Sequence, residues 1–283
     1  MNNTNACTYK LKIVGCPKML GVGMIGNINL LIYLIHKFNR IIYFDTYSNG
    51  VSIMYDKEYE ENFNIQNPFE YYFEPLFDVN NISEELIDDQ PTFFQEFKYG
   101  FYDLKFKPLY DSLKKKFFEQ YKIKEDISNE ISEFEKKNFA NDIILGVQIR
   151  TTDLMASGMN HNLEYFFKRI EIVTKIHDNI SKIFIATDNH EVIKLCKEKF
   201  NNKTILCLEN IDRAHSINDK NGSHYRINIH DNVYNNRKYH NYLCGKEALI
   251  DMLLLSKCDY LIKSKSTLSD LAILFSEKIK KTY

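Results

Sequence analysis

The chain has no Asp-x-Asp pair, no Cys-x-x-Cys pair, no apolar run of membrane-spanning length and a net charge of only -1. Each absence removes a class of function. Without Asp-x-Asp there is no carboxylate pair of the kind that commonly holds a metal ion on a sugar-nucleotide diphosphate, so a metal-free mechanism is the default expectation. The six cysteines (Cys7, Cys16, Cys196, Cys207, Cys244, Cys258) show no metal-ligand spacing and several lie inside apolar segments. They read as reduced, buried thiols of a cytosolic protein. His215, His224, His230 and His240 fall at uneven intervals on one polar stretch, which argues against zinc. So little net charge offers no bulk attraction for nucleic acid, and any anion must be held locally. The apolar stretch Ile28 to Ile35 is too short to cross a bilayer and no cleavage site follows it. A cytoplasmic protein is therefore expected, with peripheral contact the one membrane association left open.

What is present is the composition of a soluble globular protein, 44% hydrophobic and 27% charged over 283 residues. That length suits two domains. All five prolines fall within the first 108 residues, and the second half alternates more cleanly between strand-like and helix-like segments. The first half opens as a βαβ unit: strand Lys10 to Val14, a glycine-bearing loop, a helix from about Asn27 to Phe38, and strand Arg40 to Phe44. An aromatic and acidic stretch from Tyr55 to Tyr102 carries no readable period. A helix is expected over Leu109 to Tyr121, and the amphipathic stretch Asp126 to Lys137 is the candidate connector. Domains of residues 1–138 and 139–283 follow. In the second, strands at 143–149, 182–186 and 204–208 alternate with helices at 163–176 and 190–200, the pattern of a parallel sheet with helices on its faces. A long polar run, Glu209 to Asn241, precedes an apolar helix over Lys246 to Lys257, a strand Tyr260 to Ile262 and a terminal helix Leu268 to Ile279.

Four features carry chemistry. Arg150 ends the apolar run of strand 143–149, where open α/β sheets meet their ligands, and a guanidinium grips phosphate bidentately. Tying the strand end to a surface carboxylate is its plainer role. Asp251 interrupts a helix that is apolar nearly all round, so its carboxylate requires a partner. That partner is a Lys or Arg, or a ligand edge with two adjacent N–H donors such as guanine N1 and N2. Ser264-Lys265-Ser266-Thr267-Leu268-Ser269-Asp270 follows a short strand and opens a helix. Thr267 with Asp270 fits a capping box, and the free N–H groups of a helix start also suit a diphosphate. Asp188, at the end of Ile183 to Thr187, either faces the same ligand or caps the helix starting at His190. Arg150, Asp251 and the Ser266-Thr267 turn share one sheet edge if the sheet is parallel, which a nucleotide diphosphate explains jointly.

A competing motif is Gly21-Val22-Gly23-Met24-Ile25-Gly26, which matches G-x-G-x-x-G with Asp45 near the expected distance. It points to an NAD(P)-dependent oxidoreductase. Cys16 to Leu20 intervenes between the strand and the glycines, however, where the fingerprint has none. The same glycines, Gly21 and Gly23 first, could instead let the loop approach a ligand held by the other domain.

Together GVQIRTTD (146–153), IFIATDN (183–189) and ALIDMLLLSKCDYLIKSKST (248–267) resemble the three signature blocks of the α-1,6-fucosyltransferase and protein O-fucosyltransferase superfamily, whose first block usually reads close to GVHVRRTD. The likeness covers about residues 143 to 270, with weaker echoes in Gly21 to Gly26 and Asn236-Arg237-Lys238-Tyr239. It implies an α/β fold of two Rossmann-like domains facing a cleft (GT-B), with parallel sheets and flanking helices, and inverting, metal-independent transfer of fucose from GDP-fucose. The acceptor would be a glycan or glycolipid precursor, and no cofactor beyond the GDP-sugar donor is implied. By position, the resemblance assigns Arg150 to the diphosphate, Asp251 to guanine, and Ser266 and Thr267 to the turn around the β-phosphate. Gln148 stands where the family often has His, and Thr151 replaces a second Arg. No carboxylate falls near Ser157 and Gly158, the position of the proposed family base. An inverting displacement needs a base on the sugar face opposite the diphosphate. His161, Asp153 and Glu164 are the local candidates, in that order. A nucleotide-binding module that has lost transfer is the reading outside catalysis.

Overall fold

The computed structural model describes residues 9–12, 24–45, 55–80, 82–85, 104, 107–151, 162–213 and 237–283. The chain groups into two units, Met1–Ser128 with Arg237–Lys246, and Asn129–Asn236 with Glu247–Tyr283.

The first unit begins as the expected βαβ. Strands β1 (Tyr9–Lys12) and β2 (Ile42–Asp45) pair in parallel around helix α1 (Met24–Phe38). Ile28, Leu31, Ile32 and Ile35 repeat at helical spacing and are all buried, which is why this segment coils and docks. The stretch without a readable period contains α2 (Lys57–Phe63), a 3-10 turn at Pro68–Tyr71, β3 (Phe73–Pro75) and β4 (Ser83–Glu85). β4 adds to β1 in parallel, giving the order β2-β1-β4. The helix expected to reach Tyr121 stops earlier, as α3 (Lys107–Phe118), and Tyr121 opens β5 (Tyr121–Ile123), antiparallel to β3. Tertiary contacts override local propensity here. The buried Tyr121 hydroxyl accepts from Phe44 N at 2.9 Å and donates to Ile42 O at 2.7 Å.

A second departure concerns the helix expected to start at Lys246, which starts at His240. Asp56 explains the earlier start. One of its carboxylate oxygens accepts Tyr59 N at 3.0 Å and caps α2, while the other accepts Asn241 N at 3.1 Å. A single buried side chain thus meets the first turns of two helices. Gly245 lies inside the added turns. The Tyr72 ring and hydroxyl fill the space that a Cβ would need, so a residue that reads as a breaker is a packing requirement.

The amphipathic stretch read as a connector forms α4 (Glu125–Phe134) and a π-helical turn at Glu135–Phe139. In the second unit β6 (Ile143–Ile149), α5 (Leu163–Ile176), β7 (Ile180–Thr187), α6 (His190–Lys199), β8 (Thr204–Leu206), α7 (His240–Ser256, whose residues from Glu247 belong here), β9 (Tyr260–Ile262), α8 (Thr267–Phe275) and β10 (Lys281–Thr282) follow in order. The strands make one parallel sheet, β10-β9-β6-β7-β8. Residues 144–149 of β6 are all buried, as a strand covered on both faces requires. Leu145, Val147, Ile149, Ile183 and Ile185 pack with Phe166 and Ile170 of α5 and Val192 and Cys196 of α6. On the opposite face Phe184 meets Phe134 and Phe139 edge-on, each at 5.7 Å. The terminal helix ends at Phe275 rather than near Ile279. Ser276 turns the chain, its hydroxyl donating to Ser256 O at 2.7 Å and accepting from Lys278 N and Ile279 N, and β10 follows.

Among the described cysteines Cys196 and Cys258 are buried free thiols, whereas Cys207 and Cys244 are only partly covered. Among the described residues no helix is long and apolar enough to cross a membrane.

Gly146 lies against the end of α7 and the turn that follows it. A Cβ there would lie 2.9 Å from Cys258 Sγ and 3.0 Å from Leu255 Cδ2. Gly146→Val should therefore destabilise the chain by about 1–3 kcal/mol through overpacking, seen as a lower urea midpoint for the second unit's transition; an unchanged midpoint would refute the close contact.

Candidate functional site

The order of the sheet reverses at β6: β7 and β8 lie on one side of it, β9 and β10 on the other. A ligand in such a sheet sits beyond the carboxyl ends of the two strands at that switch. Here those strands are β6 and β9, registered from Leu145↔Tyr260 to Val147↔Ile262. Beyond that register Gln148 to Arg150 and Lys263 to Ser266 run on from neighbouring strands at the same edge. The Ser264 hydroxyl donates to the Gln148 side-chain oxygen, linking the two strand ends. Arg150 is the first residue past β6 and is half-buried.

The next residue is held from the neighbouring strand. Asp188, just past β7, accepts both the amide and the hydroxyl of Thr151 on one carboxylate oxygen, at 3.0 and 3.2 Å. Thr151 and Asp188 are both buried. Asp188 is thus not the cap of α6. That role falls to Asn189, whose side-chain oxygen accepts Glu191 N at 2.8 Å.

Asp251 is 4% exposed. Leu255, one turn later in α7, touches the space above Gly146. A helix advances about 6 Å over four residues and a strand about 3.3 Å per residue, so one turn back along α7 corresponds to about two residues further along β6. Asp251 therefore lies toward the carboxyl end of β6, above the level of Gly146. It also acts on the Cys207 thiol, which burial raises above the ordinary thiol range; Arg213 opposes that rise and Asp251 adds to it.

Arg213 was not marked by any motif. It is 3% exposed, and its Nε and Nη2 donate to Thr187 O at 3.0 Å and Leu208 O at 2.9 Å, tying the carboxyl ends of β7 and β8. The available signal was positional: a lone arginine shortly after a strand, as at Arg150, hidden here in a polar run.

The turn into α8 differs from the expected capping box by one residue. Ser266, not Thr267, is the N-cap, its hydroxyl accepting Leu268 N at 3.3 Å. Ser269 reinforces the turn by donating to the carbonyls of Ser264 and Ser266, each at 3.0 Å. Asp270 pairs with Lys263 at 2.8 Å instead of closing the box. Burial raises the Asp270 carboxyl above the usual carboxylate range, against the lowering effect of Lys263.

The structure thus gathers Gln148, Arg150, Asp188, Ser266 and Thr267 on one sheet edge, with Asp251 on the helix above it. Glu164 is exposed in the first turn of α5, whose N-cap is Asn162, and there it complements the helix dipole. Gly21, Gly23, Asp153 and His161 lie outside the described residues, as do Ser157 and Gly158. Asp45 closes β2 as a buried residue.

No protein-family model matches the chain, and no curated protein matches it in sequence. Solved structures do. The chain is similar to NodZ α-1,6-fucosyltransferase co-crystallised with GDP, at TM-score 0.53 and 14% identity over 96% of this chain and 93% of that one. It is similar to fucosyltransferase NodZ from Bradyrhizobium, at TM-score 0.52 and 14% identity over 96% and 94%. NodZ soaked with GDP-fucose gives TM-score 0.52 and 14% identity over 95% and 92%. At such identity the likeness is one of fold, and the fold is the α/β GT-B fold expected from the sequence.

Two outcomes follow. Asp188→Ala should cost about 1–3 kcal/mol, because it strands two buried Thr151 groups, measurable by urea unfolding; a loss within error would show that the clasp is idle. For Asp270 the folded carboxyl is raised, so the folded state binds the proton more readily than the unfolded one and stability falls as pH rises through the folded value. Relative to Asp270→Asn, the parent should lose stability as pH rises from the ordinary carboxylate range through the raised folded value, and parallel curves would contradict that.

Proposed function

We propose that the chain is a glycosyltransferase that takes its sugar from a GDP-linked donor, GDP-fucose first, and transfers it with inversion to a glycan or glycolipid precursor in the cytoplasm. The observation that carries this reading is the switch point between β6 and β9, which puts Arg150 beside the hydroxyl-bearing turn at Ser266 in a fold shared with structures co-crystallised with GDP and soaked with GDP-fucose.

In this reading Arg150 grips the diphosphate and stabilises the charge that grows on departing GDP, an interaction stronger in the transition state than in the ground state. Ser266, Thr267 and the first N–H groups of α8 receive the β-phosphate. Asp251 accepts the two N–H donors of guanine, a pairing that suits a carboxylate beyond the strand ends. Gln148, bonded to Ser264, fixes the spacing of the two strand ends. Asp188 positions Arg150 through Thr151. The reaction needs no cofactor beyond the donor, and the lack of any Asp-x-Asp pair in the sequence favours a route without a metal ion. The base that takes the acceptor proton must face the sugar from the side opposite the diphosphate. Of the three candidates, His161 is preferred over Asp153, and Glu164, exposed in a helix turn, comes last.

Calorimetric titration with GDP, UDP and NAD tests the donor class: GDP should bind, and NAD binding without any GDP response would sink the proposal in favour of the Gly21-Gly26 motif. Arg150→Ala should lower turnover about 100- to 1000-fold in a GDP-fucose hydrolysis or transfer assay. A parent chain that binds GDP but neither hydrolyses GDP-fucose nor transfers the sugar is a binding module instead.

A further inference from the structure

A nucleotide diphosphate brings more than one negative charge to the switch point, whereas Arg150 brings one positive charge. The other cations at this sheet edge differ in how they are engaged. Thr151 beside Arg150 is neutral and bonded to Asp188. Arg213 is directed to two carbonyls on the β7 and β8 side. Lys263 is held by Asp270 at 2.8 Å. Lys265 is exposed and has no hydrogen bond or ion pair among the described residues.

The place of Lys265 is unfavourable without a ligand. It immediately precedes Ser266, the N-cap of α8, so an unpaired cation stands at the positive end of a helix dipole. Lys263 adds a second positive charge on the same turn, offset by Asp270, and among the described residues nothing offsets Lys265. The Thr267 hydroxyl, on the first residue of α8, likewise has no hydrogen-bond partner among the described residues. An anion over the turn would answer both groups at once.

We infer that Lys265 supplies the second cation of the donor-diphosphate site, from the turn between β9 and α8 and across the switch point from Arg150. This rests on the reading of the edge as a GDP-sugar site. A flexible ammonium suits this position, because it can reach a phosphate oxygen as a point charge while the Arg150 fork sets the geometry. Such a contact acts on phosphate and not on the base, so its loss must appear with GDP and vanish with guanosine. It must also weaken with salt, since the ammonium is exposed.

Titration of the full chain with GDP and with guanosine, at low and high salt, distinguishes the outcomes for the parent, Lys265→Ala and Lys265→Arg. In Lys265→Ala the GDP affinity should fall about three- to ten-fold, guanosine affinity should hold, and the salt dependence of GDP binding should become shallower. Lys265→Arg should restore GDP binding. Without ligand, Lys265→Ala should melt no lower than the parent, because the cation leaves the wrong end of a helix. If the parent binds GDP and Lys265→Ala binds it equally well, the inference falls and the donor reading stands. An equal loss of GDP and guanosine also overturns it. A parent that binds no GDP removes the donor reading itself, and this inference with it.

Discussion

Strand β6 is buried from Ile144 to Ile149 and covered on both faces, and that constraint decides where the second unit can do chemistry. Apolar side chains occupy one face against α5 and α6, and on the other a glycine lets α7 approach. Polar function is left the strand's carboxyl end, where Gln148, Arg150 and Thr151 follow the apolar run. The reversal of strand order at the same place opens a crevice beside that end instead of a neighbouring helix.

The polar groups around the crevice are mostly engaged with one another before any ligand arrives. Gln148 is bonded to Ser264, Thr151 to Asp188, and Arg213 to two strand-end carbonyls. Buried groups satisfied in this way fix the ends of β6, β7, β8 and β9 relative to each other. Such fixing is what a site needs when charge must be met in a defined place at the moment a bond breaks, because donors already in position need not reorganise. Asp259 does similar work at the opposite edge. Its carboxylate accepts Ile144 N at 3.0 Å while Lys278 and Lys280 each approach at 3.3 Å, which anchors β6, β9 and β10 where their register begins.

The sequence was most legible where burial imposes a period. The strands of the second unit and helices α5 and α6 could be read because a doubly covered strand is apolar throughout and an outer helix repeats its apolar residues every three to four positions. Legibility failed where a distant contact overrules local preference. Tyr121 reads as the end of a helix, yet its hydroxyl is claimed by the backbone of β2; a helix expected from Lys246 in fact runs through Gly245, whose missing side chain leaves room for Tyr72. At the edge, Arg150 and Asp251 stood out because charge in an apolar run is costly. Arg213 did not, since a charged residue in a polar loop violates nothing, and Asp188 was marked only as a ligand or cap candidate because its partner Thr151 lies on another strand end. The one-residue shift from Thr267 to Ser266 as the cap has the same origin: adjacent hydroxyls are equivalent on paper, and only backbone geometry separates them.

The Asp56 carboxylate joins segments far apart along the chain, meeting the start of α2 and the start of α7 some 185 positions later. The first unit, in other words, contains residues that are synthesised after most of the second. While the chain emerges from the ribosome, the Asp56 carboxylate has Tyr59 N but neither Asn241 N nor Tyr242 N, and the aromatic cluster around Tyr59 lacks Tyr242, which stacks on it at 4.0 Å. The amino-terminal unit is therefore not a module that folds first and waits. It is closed last, and any truncation before residue 237 leaves it open, with a buried carboxylate and an apolar aromatic face exposed together.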